Sequence, residues 1–165
     1  DHSGGNKMLK KLHPTIKIFG GSNEITDNVT HNNVIKFEEL EITCLHTPCH
    51  TKEHICYFFS YQTSPKSIFT GDTLFLAGCG RFNEGPAEQM YNNLCKIIWN
   101  LPDKTNIFCG HEYTEKNLKF GLTVEPNNEN IKKRLALVQK IPKENGTIPG
   151  TIEEEKLTNV FMRVK

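Results

Sequence analysis

Two short runs, Ser67-Ile68-Phe69-Thr70-Gly71-Asp72 and Asn106-Ile107-Phe108-Cys109-Gly110-His111, share one plan: a few β-prone apolar residues, a glycine, then a side chain able to hold a metal. Leu45-His46-Thr47-Pro48-Cys49-His50 repeats it with proline as the breaker, and the pair Asp1-His2 opens the chain. Apolar runs that stop at Gly or Pro read as buried strands leading into loops, and α/β folds gather ligands where several strand ends converge. Laid side by side, these runs bring His50, Asp72, His111, Asp1 and His2 to one rim. That is enough imidazole and carboxylate for more than one divalent metal ion.

The surroundings fit an α/β reading. Residues 34–45 hold two strand-like pieces, residues 54–60 form a nearly continuous apolar strand, and residues 15–19 alternate like a strand that stops at Gly20-Gly21. A short helix is predicted over residues 7–12, ended by Pro14. A longer one runs from Gly85-Pro86 to Leu101, because Met90, Leu94, Ile97, Ile98 and Leu101 recur at helical spacing, with Pro86 suited to the first turn and Pro102 as the stop. After residue 113 the texture changes. Residues 114–122 and 128–140 read as helices, the second with Ile131, Leu135 and Val138 inward, and no run there reads as a strand. We therefore expect an α/β domain over residues 1–113 and a helical domain over residues 114–165.

Composition excludes several classes. The 165 residues carry a net charge of +1, which gives no broad basic field for nucleic acid or an anionic membrane. Mean hydropathy is −0.50, and no long uncharged apolar stretch is present, so a soluble protein is expected. The six cysteines (Cys44, Cys49, Cys56, Cys79, Cys95 and Cys109) form no CxxC pair and sit mostly inside apolar runs, like core residues of a reducing compartment. The triplets at Asn28 and Asn145 that match a glycosylation pattern read as ordinary turns.

A single His or Asp after a strand is more often a turn residue than a ligand, so the constellation carries the signal. His13, before Pro14, and His31, in a polar loop, read as solvent-facing. His46 and His54 flank His50 at four residues on either side and suit hydrogen bonding behind the ligands. The glycine-rich segment 77–85 lacks the Lys-Ser/Thr ending of a phosphate-binding loop. It reads instead as a rim beside Asp72, with Arg81 as a carboxylate-binding fork and Phe82 as an apolar wall. Tyr113, two residues after His111, is placed to do similar work.

Beyond these readings the motifs resemble a known family. Asp1-His2-Ser3-Gly4-Gly5-Asn6 is similar to the tail of the Thr-His-x-His-x-Asp-His motif of the metallo-β-lactamase fold. Thr47-Pro48-Cys49-His50-Thr51, Phe69-Thr70-Gly71-Asp72-Thr73, Ala77-Gly78-Cys79-Gly80-Arg81-Phe82 and Cys109-Gly110-His111-Glu112-Tyr113-Thr114 resemble glyoxalase II, the hydroxyacylglutathione hydrolases. Asn117-Leu118-Lys119-Phe120, Val124-Glu125-Pro126 and Asn159-Val160-Phe161-Met162-Arg163-Val164 extend the likeness to the end of the chain. The resemblance implies an αβ/βα sandwich, truncated at its N-terminus over residues 1–113, followed by an incomplete glutathione-binding helical domain over residues 114–165.

It also implies a dinuclear site of two divalent metal ions, zinc foremost, with iron or manganese as alternatives. Asp1, His2 and His111 would hold one ion, Asp72 would bridge both and His50 would serve the other. Two histidines that complete the second site in the family would lie upstream of Asp1, so an internal piece of a longer enzyme is expected. Asn83 stands where the family commonly has a glutathione-binding tyrosine, and basic residues that grip glutathione's glycine carboxylate would follow Lys165.

The implied reaction is hydrolysis of S-D-lactoylglutathione to D-lactate and glutathione, the second step of methylglyoxal detoxification. Its hydroxide would be oriented by Asp1 and Asp72, with no separate acid–base pair, while Arg81, Phe82, Asn83 and Tyr113 bind substrate. A thiolate leaving group, with a parent thiol pKa of about 8.5, lessens the need for a general acid. The expected partner is a glutathione thioester, with no nucleic acid or membrane, in a cytoplasmic monomer; an organellar form stays open because the chain starts without a methionine. The rival readings are a mononuclear-iron persulfide dioxygenase and a non-catalytic metal-binding fragment of the same fold.

Overall fold

The computed structural model describes residues 2–22 and 24–164, apart from the Lys143 side chain. Helix α1 (Asn6–Leu12) leads to β1 (Phe19–Gly20) and β2 (Asp27–Asn28), two-residue strands that pair in parallel. There follow β3 (Val34–Phe37), β4 (Leu40–His46), β5 (Ile55–Tyr61) and β6 (Ser67–Gly71), then the small hairpin of β7 (Leu74–Phe75) and β8 (Gly78–Cys79). A helical run beginning as α2 (Ala87–Tyr91) crosses to β9 (Asn106–Cys109). The rest of the chain forms α3 (Thr114–Val124), α4 (Glu129–Val138), β10 (Gly150–Thr151) and α5 (Ile152–Thr158).

One six-stranded sheet, in the order β10-β9-β6-β5-β4-β3, organises these elements. Strands β3 to β6 form an antiparallel meander, while β9 joins β6 in parallel, as a helical crossover requires. That parallel pairing aligns Ile68 with Ile107 and Phe69 with Phe108, so the two strands end together. Alternation gives the sheet two unlike faces. Ile68, Ile107 and Cys56 pack with Met90, Leu94 and Ile98 of the crossover, and all are 2% exposed or less. The opposite face carries a ladder of Phe59, Phe69 and Phe108, with ring centroids 4.9 and 5.0 Å apart.

Three sequence expectations need correction. The strand predicted over residues 15–19 shrinks to Phe19–Gly20, since the preceding residues find no strand partner and alternation alone does not make a ladder. The crossover helix has the predicted extent, but its winding changes from α to a π-helix at Asn92–Ile97 and a 3-10 turn at Ile98–Asn100. Finally, the segment after residue 113 does contain a strand. Gly150 pairs with Ile107 and Thr151 with Asn106, which ties this segment to the sheet edge.

Helix α5 begins with a full capping box between Thr151 and Glu154. It buries Glu155 completely, and that carboxylate ties α4 and the loop above the strand ends to α5. Glu155 accepts from Arg134 Nη1, from Asn159 Nδ2 and from the Ala77 backbone N–H, each at 2.7 Å. Ala77 has a left-handed φ of 58°, and Asn159 also donates to the Gly78 carbonyl at 3.0 Å. A buried carboxylate survives only when paired and hydrogen-bonded in this way.

Candidate metal centre

The ends of β6 and β9, and the loop after β4, deliver the candidate side chains. Gly71 leaves β6 with φ 48°, where the pairing with β9 shifts register, and this bend turns Asp72 inward. The bend is held by Gly110 N–H to the Gly71 carbonyl at 2.9 Å and Thr73 N–H to the Thr70 carbonyl at 3.0 Å. Gly110 allows β9 to approach closely: a Cβ there would stand 2.4 Å from Asp72 Oδ1. Behind the bend, His54 Nε2 donates to the Thr70 carbonyl at 3.0 Å, and burial pushes this imidazole's pKa below its ordinary value.

Three imidazoles converge on one carboxylate oxygen. His2 Nε2 lies 3.1 Å from Asp72 Oδ2, His50 Nε2 3.3 Å and His111 Nε2 3.4 Å. The donor atoms of His2, Asp72 and His111 all lie within 4.8 Å of one another. A tetrahedral ion with bonds of about 2.0–2.1 Å to nitrogen and oxygen sets its ligand atoms about 3.3 Å apart, which is the spacing found here. Asp72 is 5% exposed, and its Oδ1 accepts no hydrogen bond among the described residues. An orphaned buried carboxylate oxygen beside converging imidazoles fits a divalent cation.

His50 is prepared for this by its other nitrogen. Nδ1–H donates to the Arg81 carbonyl at 3.0 Å, which leaves the Nε2 lone pair facing the centre. The Asn83 side-chain amide is 3.4 Å from the same Nδ1. The ring of His111 is fixed by stacking on Tyr113, with centroids 4.9 Å apart and planes 9° from parallel, and by the edge of Phe75.

A cavity of about 380 Å³ opens over the centre, with His50, Asp72 and His111 on its floor and Arg81, Tyr113 and Lys116 on its sides. The structure thus brings together His2, His50, Asp72, His111, Arg81 and Tyr113. Phe82 is 45% exposed and, like Asn83, does not line this cavity. Asp1, expected as a ligand and as an orienter of hydroxide, lies outside the described residues. His46 turns away, with Nε2 on the Lys52 carbonyl, and the His31 ring accepts from the His46 backbone N–H. Cys79 lines the cavity, but burial pushes its thiol up to about 12, so it offers no thiolate at neutral pH. Lys116 is among the wall residues that sequence reasoning missed, with Phe75 and Asn117. Its spacing of three from Tyr113 at the start of α3 places both on one helix face.

A probable hydroxyacylglutathione hydrolase of Schistosoma mansoni is 47% identical over 99% of this chain and 73% of its own length. The chain belongs to the hydroxyacylglutathione hydrolase family. A cytoplasmic hydroxyacylglutathione hydrolase of Arabidopsis thaliana is 50% identical over 99% of this chain, which spans 66% of that relative. The sequence model of the hydroxyacylglutathione hydrolase C-terminus matches residues 112–165. Among solved structures, a metallo-β-lactamase from Staphylococcus aureus superposes with a TM-score of 0.66 at 21% identity, covering 98% of this chain and 44% of that one. The fold of this hydroxyacylglutathione hydrolase family member is accordingly the α/β metallo-β-lactamase fold.

Proposed function

We propose that this protein hydrolyses 2-hydroxyacyl thioesters of glutathione, S-D-lactoylglutathione first among them, at a centre of divalent metal held by His2, His50, Asp72 and His111. The observation that carries the reading is the convergence of three imidazole nitrogens on Asp72 Oδ2 beneath a cavity walled by Arg81 and Tyr113. The names of the relatives support the substrate class. Divalent metal there would supply Lewis acidity, polarising the thioester carbonyl and lowering the pKa of water from about 15.7 towards about 7. Zinc suits this donor set, and the family resemblance implies two ions, which Asp72 and Asp1 would help to hold.

The chain's own groups do the rest. Asp72, fixed by the Gly71 bend, sets the separation of the surrounding imidazoles. Arg81 joins the two halves of the site, because its carbonyl fixes the His50 tautomer while the residue also lines the cavity. Its guanidinium would take a substrate carboxylate and Tyr113 would position the peptide. The thiolate product leaves without a general acid, because its parent thiol has a pKa of about 8.5. In this reading residues 1–113 carry the metal centre and residues 114–165 the glutathione side, in a cytoplasmic protein. Among the described residues no helix is long and apolar enough to cross a membrane.

Thiol release from S-D-lactoylglutathione by the purified, metal-loaded protein tests the reading. One thiol should appear for each thioester consumed. Absence of thiol release, or oxygen uptake with glutathione persulfide in its place, would overturn it.

A further inference from the structure

Tyr113 and Lys116 wall a second cavity as well, of about 400 Å³, which lies between α3 and the segment after α4. Its polar lining includes Glu112 and Glu115, and Val138 and Ile141 form an apolar side. The Glu112 carboxylate is held in place by hydrogen bonds that it accepts from the Thr147 N–H and hydroxyl, both 2.6 Å, and from the Thr114 hydroxyl at 3.0 Å. Glu115, ion-paired with Lys119 at 2.8 Å, adds a second carboxylate. Lys116 forms no ion pair among the described residues, although Glu112 and Glu115 line the same cavity.

A wall with a cation on its edge and carboxylates just beyond is complementary to a zwitterion, whose carboxylate and ammonium each need a partner of opposite charge when drawn from water. Glutathione ends its γ-glutamyl arm in that group, a free α-amino acid. With the thioester over Asp72, this arm, about 7 Å for two residues of extended chain, has to leave the first cavity across one of its walls. Tyr113 and Lys116 form the wall that opens onto a cavity of matching charge.

We propose that the second cavity binds the free amino-acid head of the substrate's γ-glutamyl arm, Lys116 pairing with its carboxylate and the Glu112–Glu115 side with its ammonium. This rests on the reading of a glutathione thioester as substrate and assigns the end of that substrate remote from the chemistry. Lys116 is thereby a specificity-determining residue. It contributes to binding and leaves the reacting bond to the metal centre.

Calorimetric binding of two inert probes, S-hexylglutathione and S-hexyl-cysteinylglycine, which lacks the γ-glutamyl group, separates this proposal from the catalytic one. The protein should bind the first at least about fivefold more tightly, the scale of one charge-assisted contact. Lys116→Met should remove most of that preference, Lys116→Arg should retain it, and thermal unfolding should be unchanged in both. Equal affinity of the unaltered protein for the two probes, or a preference that persists in Lys116→Met, overturns the assignment while leaving thioester hydrolysis standing. Failure to bind either probe would overturn both.

Discussion

At the scale of single residues, the centre depends as much on what is small as on what is charged. Gly110 admits the Asp72 carboxylate, and a methyl group at 2.4 Å from Oδ1 would have to displace it. Gly110→Ala is expected to destabilise the fold by about 1–3 kcal/mol, as overpacking does, and to weaken metal binding by shifting Asp72 off the shared axis of the histidines. Denaturant unfolding together with metal titration checks this; full metal affinity in the variant would show that Asp72 is not held by this contact. His50, Asp72 and His111 were legible in the sequence because each ends a short apolar run at a Gly or Pro. Lys116 was not, since an exposed lysine on a helix looks the same whether it faces water or a cavity.

At the scale of elements, the π-helical segment of the crossover bears on the site. Asn93 is fully buried there, and its amide donates to the Pro48 carbonyl at 2.7 Å, two residues before His50. Extra residues per turn in such segments re-aim side chains, and they recur at functional sites. Asn93→Leu should cost about 1–2 kcal/mol by leaving a part-buried carbonyl without its donor, and should loosen the His50 loop. Thermal unfolding measures the first effect and metal affinity the second; a variant as stable as the parent would remove this role. The apolar period announced the crossover helix, but the change of winding leaves no trace in that period. Helix α5 was hidden for a related reason. Its buried side includes Glu155, and a run of three glutamates reads as a solvated surface until Arg134 and Asn159 are seen to enclose one of them.

At the scale of the whole molecule, the segment after residue 113 is fastened to the α/β part by more than packing. Besides β10 and the Glu155 cluster, Glu112 holds Thr147 across the chain. The Glu112 carboxyl is lowered in the fold, so the unfolded chain binds more protons over the window between the folded and the ordinary carboxylate pKa. The stability it contributes is therefore complete above the ordinary range near pH 4.5 and is lost as pH falls through the lower, folded value. Glu112→Gln should flatten the acid limb of a stability profile below the ordinary carboxylate range, leaving other carboxylates to supply the remaining slope. An unchanged acid limb would contradict it. The join itself was invisible in sequence, because a two-residue strand carries no period and its pairing partner lies some forty residues upstream.

All three scales meet in the claim that histidines from separate strand ends share Asp72 in order to hold divalent metal. Metal content after exhaustive dialysis, for the parent protein and for Asp72→Ala loaded identically with zinc, tests that claim most directly. The parent should retain zinc in stoichiometric amount and the variant should lose most of it while keeping its circular dichroism spectrum; equal zinc in both would contradict the shared centre.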